Sequence, residues 1–193
     1  MLGWPPDGPT LRLDYRRFAY AGKFVVTNTG KAVAREPDGS LPPVDDERPF
    51  EGDWDRDVVA AAAFNADRTD ASALWIRYVT VRDDRRGEGI GPRLVAAVVE
   101  AAGERGYDLL RIAVNNPFAY EALHRAGFAW TGRETGVAEL VLERPVGAPA
   151  ETDAATYQAG LDAFRDRDRG EPESSFLADR AGSDPPEATR DDR

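Results

Sequence analysis

The 193-residue sequence contains no cysteine, which excludes disulfides, thiolate metal sites and a cysteine nucleophile together. It has one histidine, His124, too few for a multi-histidine metal cage, and no short acidic cluster has the ligand spacing of a magnesium or calcium site. No metal is therefore expected. Lysine is almost missing, since Lys23 and Lys31 are the only two among 25 basic residues. No apolar run reaches the length of a membrane span, and the start MLGWPPDGPT lacks the basic and apolar regions of a secretory signal, so a cytoplasmic protein without a membrane partner is expected. A broad basic face is lacking too: the net charge is -10, which argues against nonspecific nucleic-acid binding. An acidic, aspartate-rich, lysine-poor chain suggests a halophilic protein kept soluble in high salt, although a GC-rich genome alone would also replace lysine by arginine.

What is present suits one domain with a substantial core, hydrophobic residues making up 41% of the chain. Residues 36–57 read as a long polar loop, and 147–193 as an acidic tail with 12 acidic residues against six arginines from Glu151 onward. The tail's composition predicts disorder, with a transient helix over 154–164. FVVTNTGKAVA reads as a β-hairpin, 24–26 against 31–34. DVVAAAAFN and ALWIRYVTV read as an antiparallel pair of strands. Ile90, Leu94, Val95, Val98, Val99 and Ala102 recur at helical spacing, and LLRIAVN reads as a buried strand. In NPFAYEALHRAGF, Asn116 suits an N-cap, Pro117 the first turn and Gly127 the stop. Two closing strands follow, giving an α/β (α+β) fold with a mixed sheet over residues 1–146.

The segment RRGEGIGPRL joins strand to helix through three alternating glycines. A dinucleotide fingerprint fails because Pro92 stands where its third glycine belongs, and a Walker loop fails for want of its lysine. What remains is RxxGxG, Arg86 to Gly91, entering a helix. Glycines let backbone amides approach an anion, and the helix start supplies unpaired N–H groups and a positive dipole end. Arg82, Arg85, Arg86 and Arg93 cluster around it, a local basic island suited to a pyrophosphate.

VTVRDDRRGEGIG, AVNNPFAYEALHRAGF and the two closing strands together resemble the GCN5-related N-acetyltransferase (GNAT) superfamily, over about residues 57–145. The resemblance implies a mostly antiparallel sheet with flanking helices, in which two neighbouring strands splay apart around the pantetheine of acetyl-CoA. It implies that Val79 and Val81 offer backbone groups to the pantetheine and acetyl oxygen. It also implies that Arg86, Gly87, Glu88, Gly89, Ile90 and Gly91 hold the pyrophosphate, and that Asn115 or Asn116 bonds the pantetheine or caps the next helix.

The function implied is direct acetyl transfer from acetyl-CoA to a primary amine of unknown identity. A binding or sensing module without catalysis and an interaction scaffold are the alternatives. The family's usual proton-donor tyrosine is replaced by Leu123, leaving His124, Tyr120 or a water for that role. Glu134, Glu139, Asp53 and Glu51 are candidates for the base. Trp75, Tyr78, Phe118, Phe128 and Trp130 read as core or groove walls, and Tyr15, Phe18 and Tyr20 fall on the acceptor side.

Overall fold

A computed structural model describes residues 1–4, 8–26, 28–36, 53–167 and 170–188. Among these, seven strands form one open sheet in the order β1-β2-β3-β4-β5-β7-β6. They are β1 (Leu2–Gly3), β2 (Gly30–Arg35), β3 (Val58–Ala66), β4 (Ala73–Val81), β5 (Leu109–Val114), β6 (Ala129–Glu134) and β7 (Leu140–Pro145). Every neighbouring pair is antiparallel except β4 and β5. Parallel neighbours need a crossover, and α1 (Ile90–Gly103) supplies it. This is the mixed, mostly antiparallel architecture expected.

The stripe read from the sequence is the buried face of α1: Ile90, Leu94, Val95, Val98, Val99 and Ala102 all enter the main core. In α2 (Pro117–Arg125), Asn116 Oδ1 accepts the Ala119 N–H at 2.8 Å, so the N-cap is made as the sequence indicates. At the other end Gly127 has φ 82°, Phe128 N–H donates to Leu123 O and Gly127 N–H to His124 O. These are the two bonds of a Schellman stop, which asks its glycine for a left-handed conformation.

The sheet has a core on each face. The larger joins α1, α2 and the C-terminal helices to β3, β4, β5 and β7, while the smaller seats Leu11, Leu13, Phe18 and Phe24 on Val33, Val58, Ala61 and Ala63. The run Ala60–Ala63 is fully buried. Its small side chains let layers approach β3 from both sides.

Two expectations are corrected. Residues 24–26 do not form a hairpin with β2; β2 pairs with β3 from Gly30↔Phe64 to Arg35↔Val58 and carries β1 on its other edge. Long-range pairing buries β2, which a local hairpin would leave at the edge. The tail is not largely disordered: α3 (Ala154–Arg165) and α4 (Glu173–Asp179) fold back on the domain, and Tyr157, Leu161, Phe164 and Leu177 enter the main core. Asp153 caps α3 through the Thr156 N–H at 2.7 Å. Gln158 Nε2 donates to the carbonyls of Arg180 and Ser183, and Arg165 Nη2 to that of Leu177, tying the two helices together. Averaging the composition hid four apolar side chains, three of them spaced by four and three residues on one helix face. No helix of the described residues is long and apolar enough to cross a membrane.

Candidate active site

Strands β4 and β5 pair only from Ala73↔Leu109 to Ile76↔Ile112. Beyond that point β4 runs on to Val81 against β3, and β5 to Val114 against β7. The separation starts at a bulge. Ala63 faces Tyr78 and Phe64 faces Ile76, so Arg77 has no opposite number on β3. A bulge bends and twists its strand, and here the bend carries β4 away from β5. The extra residue also shifts side-chain parity, so that Leu74 and Ile76 before it and Val79 and Val81 after it all contact the same core.

Backbone direction follows from the ladder. Arg82 N–H donates to Val59 O at 2.9 Å, toward β3. Residues of an antiparallel strand alternate in the edge to which they turn their amide and carbonyl. Val79 and Val81, odd-numbered against Arg82, therefore turn theirs toward the opening. A strand-like ligand such as a pantetheine amide would find those groups free of a neighbouring strand.

At the mouth, Arg86 is extended, Gly87 and Gly89 have φ of 84° and 73°, and α1 begins at Ile90. The first helical bond runs from Arg93 N–H to Gly89 O, 3.2 Å, so the amides of Ile90 and Gly91 precede the helical ladder and Pro92 has none to offer. A Cβ on Gly91 would stand 3.3 Å from Val81 Cγ2, so the helix start abuts the end of β4. The turn and the strand opening thus form one continuous feature.

The expected basic island is largely neutralised. Arg82 is buried and paired with Asp84 at 2.6 Å, and Arg85 is held by Glu36 and Glu88. Glu88's carboxyl is pulled below its usual range by that Arg85 hydrogen bond, so its side chain is occupied while its amide stays with the turn. Arg93 donates to the Glu88 carbonyl at 3.1 Å. Arg86 pairs with Asp83 at 2.5 Å, both side chains more than half exposed, so this pair can open to an incoming anion at little cost.

Asn115 sits exposed just past β5, at the far lip of the opening, whereas the Asn116 side chain is engaged in the cap. Tyr120 and His124 are not brought to the opening. Tyr120 is wholly buried, its hydroxyl donates to Tyr157 O at 3.2 Å, and its ring stacks on Tyr157 at 5.5 Å between centroids. His124 lies edge-on to both tyrosines, at 4.5 and 4.8 Å, with Nε2 buried and without a partner among the described residues. Burial pushes its pKa down to about 4, against an opposing pull from Glu121, and pushes both tyrosines up. These are packing environments. Both side chains lie against α3, which the sequence predicts only as a transient helix over 154–164.

Among the base candidates, Glu134 is exposed at the end of β6, and Glu139 meets the Thr135 hydroxyl at 3.3 Å. Asp53 is exposed, 3.9 Å from Arg12, and Glu51 lies outside the described residues. Of the acceptor-side aromatics Phe18 is buried, Tyr15 and Tyr20 are about half exposed, and Tyr20 meets Tyr78 at 5.7 Å. Phe118 packs on Phe176, Phe128 is buried, and Trp130 donates to Arg133 O. Nothing in the sequence singles out Arg77, whose place at the bulge no glycine or proline announces.

No curated protein matches. Among solved structures, a GNAT-family protein from Desulfovibrio desulfuricans shares 18% identity over 49% of this chain and 66% of its own, with a TM-score of 0.44. A GCN5-related N-acetyltransferase from Kribbella flavida shares 23% over 48% and 63%, TM-score 0.42. The PaiA N-acetyltransferase of Thermoplasma acidophilum, solved with coenzyme A, shares 14% over 47% and 55%, TM-score 0.41. The chain thus spans less than two thirds of each of these proteins. The model of the acetyltransferase (GNAT) family matches residues 15–128, more than half of the sequence, and includes β4, the glycine turn, α1, β5 and α2. The chain belongs to the GNAT acetyltransferase family.

Proposed function

We propose that the protein transfers the acetyl group of acetyl-CoA to a primary amine in a ternary complex. The observation that carries this is the opening between β4 and β5, which leads directly to the unladdered amides at the start of α1. Val79 and Val81 would pair with the pantetheine arm. The amides of Gly87, Glu88, Gly89, Ile90 and Gly91, with the Arg86 guanidinium, would take the pyrophosphate. Asn115 would bond the pantetheine from the β5 side.

In the reaction the neutral amine nitrogen attacks the thioester carbonyl carbon, the C–S bond breaks, the amine gives up one proton and the departing thiolate takes one. No covalent enzyme intermediate is needed, in keeping with a chain without cysteine. With Leu123 at the family's tyrosine position and Tyr120 and His124 packed against α3, we read the thiolate's proton as coming from water. The test is calorimetry with acetyl-CoA, followed by thiol release across a panel of amines. Binding with amine-dependent thiol release supports the proposal; failure to bind acetyl-CoA rejects it.

A second reading, an acyl-CoA-binding module without turnover, is favoured by that same burial of Tyr120 and His124. Tight binding with no thiol release from any amine would select it.

A further inference from the structure

The chain carries ten more acidic than basic charges, and near the opening Arg82, Arg85, Arg86 and Arg111 are each matched by a carboxylate. Arg111 on β5 illustrates this, bonding Asp67 and Asp70 at 3.0 Å each and Glu143 at 2.6 Å; Glu143 also holds Arg133. Arg77 is different. Among the described residues it has no carboxylate at ion-pair distance. Its Nε donates to Asn65 Oδ1 at 2.7 Å, and its guanidinium lies 4.8 Å from the centre of the Trp75 ring. Asp67, Asp70 and Glu143 are already spent on Arg111 and Arg133. Burial opposes its charge, lowering its pKa from the ordinary guanidinium value, and the distant attraction of Asp67 only partly offsets this.

Its position gives this unmatched cation a use. Arg77 is the first β4 residue beyond the last one paired with β5, so it stands at the apex of the opening. The face of β4 bearing Ile76, Val79 and Val81 is closed by the core under α1. Trp75 alternates with Leu74 and Ile76 and so lies on the other face, where Arg77 stacks on it. On that face Tyr78 joins the smaller core while Trp75 and Arg77 are only part-buried, so an acceptor would enter beside those two. The Trp75 stack and the Asn65 bond fix the plane of the fork, leaving its terminal nitrogens for a ligand, an arrangement suited to a carboxylate.

We propose that Arg77 sets acceptor specificity by binding a carboxylate on the amine substrate, so that the acceptor class is amino-carboxylates rather than simple amines. The inference rests on the acetyltransferase reading above. Two residues along a strand separate Arg77 from Val79, about 7 Å, so the reacting amine and the anchoring carboxylate would be held several bonds apart, as in an ω-amino carboxylate.

The experiment titrates coenzyme A-loaded protein calorimetrically with 6-aminohexanoate, with pentylamine, which lacks only its carboxylate, and with the methyl ester of 6-aminohexanoate. Coenzyme A affinity is measured first, and its absence would sink the acetyltransferase reading and this inference together. With coenzyme A bound, the free carboxylate is expected to bind on the order of tenfold more tightly than either neutralised partner. Arg77→Gln should erase that preference with coenzyme A affinity unchanged, and Arg77→Lys should retain part of it. Equal binding of all three ligands by the wild type, which needs no variant to fold, or a preference that survives in Arg77→Gln, overturns the assignment and leaves acetyl transfer standing.

Discussion

The Tyr120 hydroxyl donates to the carbonyl of Tyr157, 37 residues further along the chain and 3.2 Å away, joining α2 to the helix that follows the last strand. Around this bond lie His124 and Phe164, and Gly160 approaches so closely that a Cβ there would collide with the tyrosine oxygen. At the rim Glu121 bonds both Arg125 and Arg180, fastening α4 to α2.

Gly160→Ala should therefore lower the stability of the whole domain by about 1–3 kcal/mol through overpacking. Thermal melts should show one displaced transition, and removal of residues 151–193 should displace it further. A truncated protein that melts like the full chain would show that the C-terminal helices add nothing to the core.

His124 predicts the direction of a pH effect. Its folded pKa of about 4 lies below the ordinary 6.5, so the unfolded chain takes up a proton that the folded chain refuses. Stability from this group is complete above pH 6.5 and declines as the pH falls toward 4, by on the order of 3 kcal/mol at most. Urea titrations of wild type and His124→Gln between pH 7 and 4.5 should show a steeper loss in the wild type. If His124 were instead the proton donor, the variant would lose kcat at neutral pH with its acetyl-CoA affinity intact.

Arg86→Ala should weaken acetyl-CoA binding by about 1–3 kcal/mol, the range for a hydrogen bond to a charged group. Because Arg86 is more than half exposed and, among the described residues, paired only with Asp83, its loss should leave the melting temperature almost unchanged. Calorimetry that returns wild-type affinity would remove the guanidinium from the pyrophosphate site.

The adjacent asparagines should separate cleanly. Asn116→Ala deletes the cap on Ala119 and should cost about 1 kcal/mol of stability. Asn115→Ala should spare stability and reduce coenzyme A affinity. The reverse pattern in paired melts and titrations would exchange their roles.

The features legible in the sequence were those whose signal is local. The α1 stripe, the Asn116 cap, the Gly127 stop and the strand run of β4 each lie within a few residues and came through unchanged. The partner of β2 was not legible, because nothing near Gly30 records that its match is Phe64, more than thirty residues further along the chain. The tail misled because its charges outnumber Tyr157, Leu161, Phe164 and Leu177, yet a few large side chains suffice when the domain offers them a surface. Around the glycine turn the cations were visible, and so were Asp83, Asp84 and Glu88, but which acid neutralises which arginine is decided only by the fold.

Eight residues of β4, Leu74 to Val81, run against seven of β3, Ala60 to Ala66. The surplus of one makes the cleft a matter of arithmetic. Excising Arg77 would even the count and straighten the strand against its parallel neighbour, with Val79 and Val81 still opposite Ala62 and Ala60. The loss would then reach beyond one cation to the space in which a thioester could lie.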